Sequence, residues 1–430
     1  MDLSIGLKIL KDRSHMFLLK KNINQLVVFT DQALVSGVNF LIGILLTRYL
    51  GIAQYGHYVM GWILVMGFSS LQRALIISPL YALYPSQNDK RSYLDNLGGI
   101  QVLLSGLCLI IGVVIMIILL IFNGMDFSPA LCIYLPLLIS LYTLYDYLRR
   151  VYFVLGRGKE CFFVDLLVYG LQPIALFLLR SFDLLTVNSI YLVWIVLLTL
   201  GICIVIFRRG IVMKFSGLRD LFRMHWSYSG PLFWTAILQW CSGNFFIIIA
   251  GGVLGTTSVG IIRIAQNIVG VLHVLFLGLE NIIPIKASKV LLESKLEGLY
   301  YFFKKVIIQF GLICLFVLGG IVVFRQELIH FLYGVEYVQY KDILLQFSVL
   351  YLLIFFGTIL RFVIRTLSVN KIIFQAYILT SLVSLLSAKL LVENWGIQGA
   401  IFGLFITQLI MLFYYSFNLF RYANRTYNYR

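Results

Sequence analysis

Residues 257–283 read TSVGIIRIAQNIVGVLHVLFLGLENII, a run long and apolar enough to cross a bilayer, whose hydrocarbon core takes about 20 helical residues. Arg263, Gln266, Asn267, Gly270, His273, Glu280 and Asn281 recur within it mostly at three- and four-residue steps. At 3.6 residues per turn they fall on one side of a helix that is otherwise apolar. A polar stripe in lipid needs a protein interior or a water-filled cavity to face, since a charge at mid-membrane costs roughly 2.5–3.5 kcal/mol even on the lenient insertion scale. The stripe therefore points to a transport pathway inside a membrane-embedded bundle.

The rest of the chain agrees. Its 430 residues include 34 Phe and 26 Tyr, are 61% hydrophobic and only 12% charged, and have a mean hydropathy of +0.95. That leaves too little polar surface to cover a soluble globule of this length, so the class is an all-α polytopic membrane protein. Apolar segments separated by short polar connections lie at about 25–49, 55–80, 97–122, 130–155, 161–180, 187–207, 226–253, 257–283, 303–324, 342–367, 371–392 and 396–420. Twelve transmembrane helices are predicted.

The positive charge sets the orientation, because Lys and Arg close to helix ends stay on the cytoplasmic side. With both termini cytoplasmic, 26 of the 34 Lys and Arg fall on that side. They lie in the tail (Lys8, Lys11, Arg13, Lys20, Lys21), after helix 2 (Lys90, Arg91), across 149–159, 208–223, 286–305 and 365–371, and at the C-terminus. Five face outward: Arg48, Arg180, Arg325, Lys341 and Lys389. Arg73, Arg263 and Arg361 are set deeper in helices. The net charge of +16 is thus mostly a matter of topology and of anionic lipid headgroups, and nucleic acid is not an indicated partner. The first 24 residues lack an apolar core followed by a small-residue cleavage site, and read as a cytoplasmic tail or interfacial helix. All six cysteines lie in or beside apolar segments without metal-site spacing, as packing residues do. No metal or other cofactor is expected.

The chain also repeats itself. Asn39-Phe40, Leu50-Gly51, Gly56 and Ile76-Ile77-Ser78-Pro79 return as Asn244-Phe245, Leu254-Gly255, Gly260 and Ile282-Ile283-Pro284 at an offset of 204 to 205. Leu148-Arg149 with Lys159 returns as Leu360-Arg361 with Lys371 at an offset of 212. Six helices per half bring the chain back to its starting side, so the halves are expected to be parallel repeats. The division reads as tail 1–24, N-lobe 25–207, basic cytoplasmic linker 208–225, C-lobe 226–420 and tail 421–430, with a central cavity between lobes that rock.

The opening helix pair, Phe29-Thr30-Asp31-Gln32-Ala33-Leu34-Val35-Ser36-Gly37-Val38-Asn39-Phe40 followed by Arg48-Tyr49-Leu50-Gly51 and Tyr55-Gly56-His57-Tyr58, resembles the first pair of polysaccharide-type flippases. These belong to the multidrug/oligosaccharidyl-lipid/polysaccharide (MOP) exporter superfamily, and the Wzx-type O-antigen and capsule flippases are nearest in kind. The resemblance implies a cargo: an oligosaccharide joined through pyrophosphate to a polyprenyl lipid, turned from the cytoplasmic to the periplasmic leaflet of the inner membrane. It also implies membrane lipids, a polysaccharide polymerase and a chain-length regulator as partners.

Such a cargo needs fixed cations for the phosphates and hydrogen-bonding groups for the sugar. Arg73, Arg263 and Arg361 are the candidates for pyrophosphate, since a guanidinium stays charged and can hold phosphate oxygens bidentately. Gln32, Asn39, Gln239, Gln266, Asn267 and His273 are the candidates for sugar. Asp31, Asp146, Arg149, Arg150, Asp165, Glu280 and Arg365 form the expected gate or coupling charges, with H⁺ or Na⁺ as the coupling ion. Asp146 can reach Arg149 or Arg150 at i+3 and i+4. Arg149, Arg150 and Arg365 stand near cytoplasmic helix ends, where snorkelling to headgroups is the plainer expectation. Asp31 sits about 100° from the helix 1 polar stripe.

Other classes fare less well. Membrane glycosyltransferases and polymerases usually place catalytic groups on a sizeable outer loop, whereas the longest here, roughly 325–341, offers Glu327, His330, Glu336 and Tyr340 without a nucleophile and base pair. No GxxxxGK[ST] sequence occurs to drive transport by ATP. A cation-coupled drug exporter of the same fold would call for an acidic cavity, while the deep charges are mostly arginine.

Overall fold

The computed structural model describes residues 27–28, 30–121, 130–209 and 213–428. The expectations resting on Lys8, Lys11, Arg13, Lys20 and Lys21 lie outside the described residues, as do those on Arg430 and on the side chains of Asn281 and Arg425. The described residues are helical with short turns and contain no strand. In chain order the helices are α1 (Thr30–Leu50), α2 (Ile52–Gln72, continued by a π turn at Arg73–Ile77 and a short helix at Ser78–Leu83), α3 (Lys90–Ile121), α4 (Leu131–Val154), α5 (Gly158–Ser181), α6 (Val187–Arg209), α7 (Leu218–Leu254), α8 (Thr256–Val269), α9 (Leu272–Val323), α10 (Arg325–Leu332), α11 (Lys341–Thr366) and α12 (Lys371–Asn428).

Ten of these are long and apolar enough to cross a membrane. Two are far too long to cross once: α9, with 52 residues, would extend about 78 Å if straight, against a core of about 30 Å. Each is broken, α9 at Lys295 (φ 56°, ψ −154°) and α12 at Gly396 (φ 58°, ψ −137°). The chain reverses at both points, for Gly298 packs against Val290 and Gly399 against the Leu391 carbonyl. Eight residues along a straight helix would hold such pairs about 12 Å apart. With α8 and the first part of α9 as one segment, the twelve expected segments are all present.

By contact the chain forms two compact units, Met1–Leu45 with Leu71–Gly230 and Leu46–Ser70 with Pro231–Arg430. Residues 218–225 are the first turns of α7. Leu46–Ser70, the end of α1 and most of α2, belongs with the second unit for visible reasons. The Arg48 guanidinium donates to the Phe331 and Leu332 carbonyls at the end of α10, Tyr337 donates to the Thr47 carbonyl (3.1 Å), and Trp240 donates to the Ile63 carbonyl (3.3 Å).

The repeat read from the sequence reappears in the backbone. Gly51 (φ 79°) and Gly255 (φ 84°) are single-residue turns, α1 to α2 and α7 to α8, in the left-handed region that favours glycine. Five residues on, Gly56 packs on the Thr256 carbonyl and Gly260 on the Ile52 carbonyl. Position 56 touches 256 while 260 touches 52, so the contact is reciprocal, as between copies related by a two-fold axis. The second offset holds as well. At the end of α4, Leu155, Gly156 and Arg157 donate to Val151, Phe153 and Tyr152; at the end of α11, Leu367, Ser368 and Val369 donate to Val363, Arg365 and Ile364. Each bond recurs 212 residues later, a Schellman-type stop in both copies.

A β-carbon at Gly56 would overlap a backbone oxygen that cannot turn aside, so Gly56→Val should cost more than the ~1–3 kcal/mol of ordinary overpacking. A fall in the thermal midpoint of the detergent-purified protein checks it, with Gly106→Ala, whose surroundings are open, as the control.

Candidate functional site

In the first unit the charged side chains gather around Arg149. Its Nε lies 2.7 Å from Asp165, one terminal nitrogen 2.9 Å from Asp31 and the other 3.6 Å from Asp146. Asp146 also pairs with Arg150 at 3.2 Å. Tyr145 donates to Asp165 at 2.6 Å, and the guanidinium lies over the Tyr169 ring at 5.5 Å. The side chains of Arg149, Asp31, Asp146 and Asp165 are at most 5% exposed. Snorkelling is therefore the wrong expectation for Arg149: three acids from α1, α4 and α5 draw it inward. Arg150 is half-buried through its bond to Asp146.

Three carboxylates here face two guanidinium groups within bonding distance, and Asp31 Oδ1 and Asp146 Oδ2 are buried without a hydrogen-bond partner. Asp31, Cys161 and Asp165 present ligand atoms within 4.8 Å of one another. They could hold a metal ion, but Arg149 already bonds both carboxylates. Of the other candidates in this unit, Gln32 donates to Asp31 at 3.4 Å and Asn39 is exposed on α1. Arg73 opens the π turn of α2, exposed, with its charge in reach of Asp146 and Tyr142.

The second unit has the opposite balance. Arg263 donates to Gln266 (3.3 Å), Asn267 donates to Tyr55 (2.8 Å), and His273 shares a hydrogen bond with Tyr351 (3.2 Å). The Arg263 charge reaches Tyr55, Tyr333, Tyr351 and His273, and the Arg361 charge reaches His273 as well. Arg361 donates to Tyr377 (3.1 Å) and Thr358 (2.8 Å), with Tyr415 within electrostatic reach. Neither Arg263 nor Arg361 is in an ion pair with an acid among the described residues. The Tyr333 and Tyr415 hydroxyls, buried, have no hydrogen-bond partner.

The polar stripe of residues 263–281 is thus partly reassembled. Arg263, Gln266, Asn267 and His273 do come together, but not along one helix. The span breaks after Val269, where Gly270 bonds back to Gln266 and His273 bonds to Gly270 three residues before it, tightening the turn. Glu280 pairs with Arg365, each side chain being nearly half exposed, and its charge also reaches Arg361. Gln239 is exposed on α7. An exposed pair contributes only ~0–1 kcal/mol, so Glu280→Gln should leave the thermal midpoint almost unchanged, and a midpoint scan checks this.

Tyr55, Tyr333, Tyr351, Tyr377 and Tyr415 were not legible as site residues, since nothing in a chain of 26 tyrosines marks those that meet an arginine. Thr358 carried a signal: it precedes Arg361 by three residues, as Asp146 precedes Arg149.

No family model matches the sequence, and no curated protein does. Solved structures match over nearly the whole length. A multidrug resistance MATE family transporter of the MOP superfamily in its inward-facing conformation aligns with a TM-score of 0.69 at 16% identity, covering 90% of this chain and 95% of its own. The lipid II flippase MurJ in an inward closed conformation aligns at 0.67 and 15% identity, over 92% and 87%. A MATE family transporter in an outward-facing conformation gives 0.58 at 16% identity, over 94% and 95%. At these identities the likeness is one of fold, an all-α architecture shared with solved transporters and a flippase.

Proposed function

We propose that this chain is a flippase that turns a polyprenyl-pyrophosphate-linked oligosaccharide, an O-antigen or capsule repeat unit, from the cytoplasmic to the periplasmic leaflet of the inner membrane by alternating access. The observation that carries this reading is the pair of arginines in the second unit. Arg263 and Arg361 lie among hydroxyl and amide groups with no acid bonded to either. A cationic drug would be repelled there, whereas phosphate oxygens and sugar hydroxyls find donors and acceptors. MurJ, whose cargo is lipid II, supports a lipid-linked substrate on this fold.

In this reading Arg263 and Arg361 hold the phosphates and Gln266, Asn267 and His273 contact the sugar. Arg73 in the first unit is the further candidate for phosphate, and Gln32 and Asn39 in the first unit and Gln239 in the second are those for sugar. The coupling ion, H⁺ or Na⁺, belongs at Asp31, which has one buried oxygen on Arg149 and the other without a hydrogen-bond partner. Both termini are cytoplasmic, and a polymerase and chain-length regulator take up the product.

Deleting the gene tests the reading. Lipid-linked oligosaccharide should accumulate on the inner leaflet and surface polymer should disappear, with Arg73→Ala failing to restore it at normal protein levels. Unchanged polymer with heightened sensitivity to cationic drugs would favour the exporter.

A further inference from the structure

The two halves carry the same arginine constellation with opposite chemistry. At the offset of 212 that joins the ends of α4 and α11, Asp146, Arg149 and Asp165 correspond to Thr358, Arg361 and Tyr377. The contacts correspond too. Arg149 meets Asp146 at 3.6 Å and Asp165 at 2.7 Å, while Arg361 meets Thr358 at 2.8 Å and Tyr377 at 3.1 Å. One copy supplies two carboxylates and the other supplies two hydroxyls at the same places.

A carboxylate accepts and neutralises, so Arg149 has nothing left to offer an incoming anion. A hydroxyl that accepts from a guanidinium keeps its own proton to donate onward. Around Arg361 the result is a cation flanked by hydroxyl groups, with the Tyr415 hydroxyl, fully buried and without a partner, in reach of the same charge. Tyr377 and Tyr415 are fixed in position by the core that Ile364, Ile373, Ala376 and Met411 build behind them.

We infer that Arg361, Thr358, Tyr377 and Tyr415 form a binding site for one phosphoryl group of the cargo, whose oxygens take the part that the Asp146 and Asp165 carboxylates play around Arg149. The identity of the ligand rests on the flippase reading; the anion site rests on the repeat. The first copy then serves as the locked form of the second. A flexible external anion replaces fixed internal ones, which is how one half of a duplicated chain becomes a receptor while the other remains a structural clamp.

The test uses inorganic pyrophosphate and the purified full chain, titrated calorimetrically at an ionic strength that screens the basic loops. Tyr377→Phe keeps the ring that this core holds and removes the hydroxyl that meets Arg361. It should weaken pyrophosphate binding by about 10- to 100-fold, the worth of a hydrogen bond to a charged group, while the thermal midpoint stays near that of the parent. Tyr415→Phe removes a hydroxyl that bonds to nothing in the unliganded protein, so folding is spared, and binding should weaken by about tenfold. Parent-level binding in both variants, or no pyrophosphate binding by the parent, overturns the inference. Binding that follows these expectations in a protein that flips no lipid-linked oligosaccharide would instead overturn the functional reading and leave the anion site standing.

Discussion

Arg149→Ala is expected to cost about 3–5 kcal/mol, the typical penalty for stranding a buried charge by deleting its partner, out of the ~5–15 kcal/mol that holds a domain together. The deletion strands not one acid but two, and takes from a third one of its cations. Asp31 and Asp165 are fully buried and Asp146 nearly so, and Asp146 alone has a second cation, Arg150. Those acids come from α1, α4 and α5, so the loss should loosen three helices at once. The yield of monodisperse protein and its thermal midpoint should both fall sharply. Arg149→Lys should rescue little, because one ammonium cannot reproduce three directed guanidinium contacts. Combining Arg149→Met with Asp31→Asn and Asp165→Asn should recover much of the loss, since the uncompensated charges leave together. A parent-like midpoint in Arg149→Ala would refute the structural role of this cluster.

Arg361→Ala should do the reverse: abolish translocation and spare the fold. Its bonds run to Thr358 and Tyr377 hydroxyls, so its removal strands no buried carboxylate. The protein should reach the membrane at normal levels with a thermal midpoint close to that of the parent, and surface polysaccharide should be absent. Arg361→Lys should keep part of the activity, since the charge survives but bidentate geometry does not. Two arginines at equivalent positions of the repeat are thus expected to fail in opposite ways, one by folding and one by function. Normal polymer in Arg361→Ala would remove the phosphate-binding role.

Hydropathy and positive charge made the twelve segments legible, because the bilayer sets both their length and their flanks. The repeat was legible at Gly51 and Gly255 because a one-residue turn with positive φ favours glycine. The bond of Asp146 to Arg149 and Arg150 followed from helical spacing alone. Asp31 and Asp165 could not be assigned to Arg149 in the same way, for their meeting depends on how α1 and α5 pack against α4. The break at Gly270 was hidden because an apolar stretch with a lone glycine reads the same whether or not the turn tightens. The tyrosines around Arg263 and Arg361 were hidden for a different reason: an aromatic residue satisfies both lipid and core, so its type says nothing about the hydroxyl at its tip.

Translocation is measured in liposomes that contain the purified chain and a polyprenyl-pyrophosphate-linked oligosaccharide, with the sugar reaching the outer leaflet read by a soluble lectin. Flipping through Arg361 requires that the parent protein speed transfer over protein-free liposomes and that Arg361→Ala, equally incorporated, not do so. Transfer at the protein-free rate by the parent, or at the parent rate by Arg361→Ala, would contradict it.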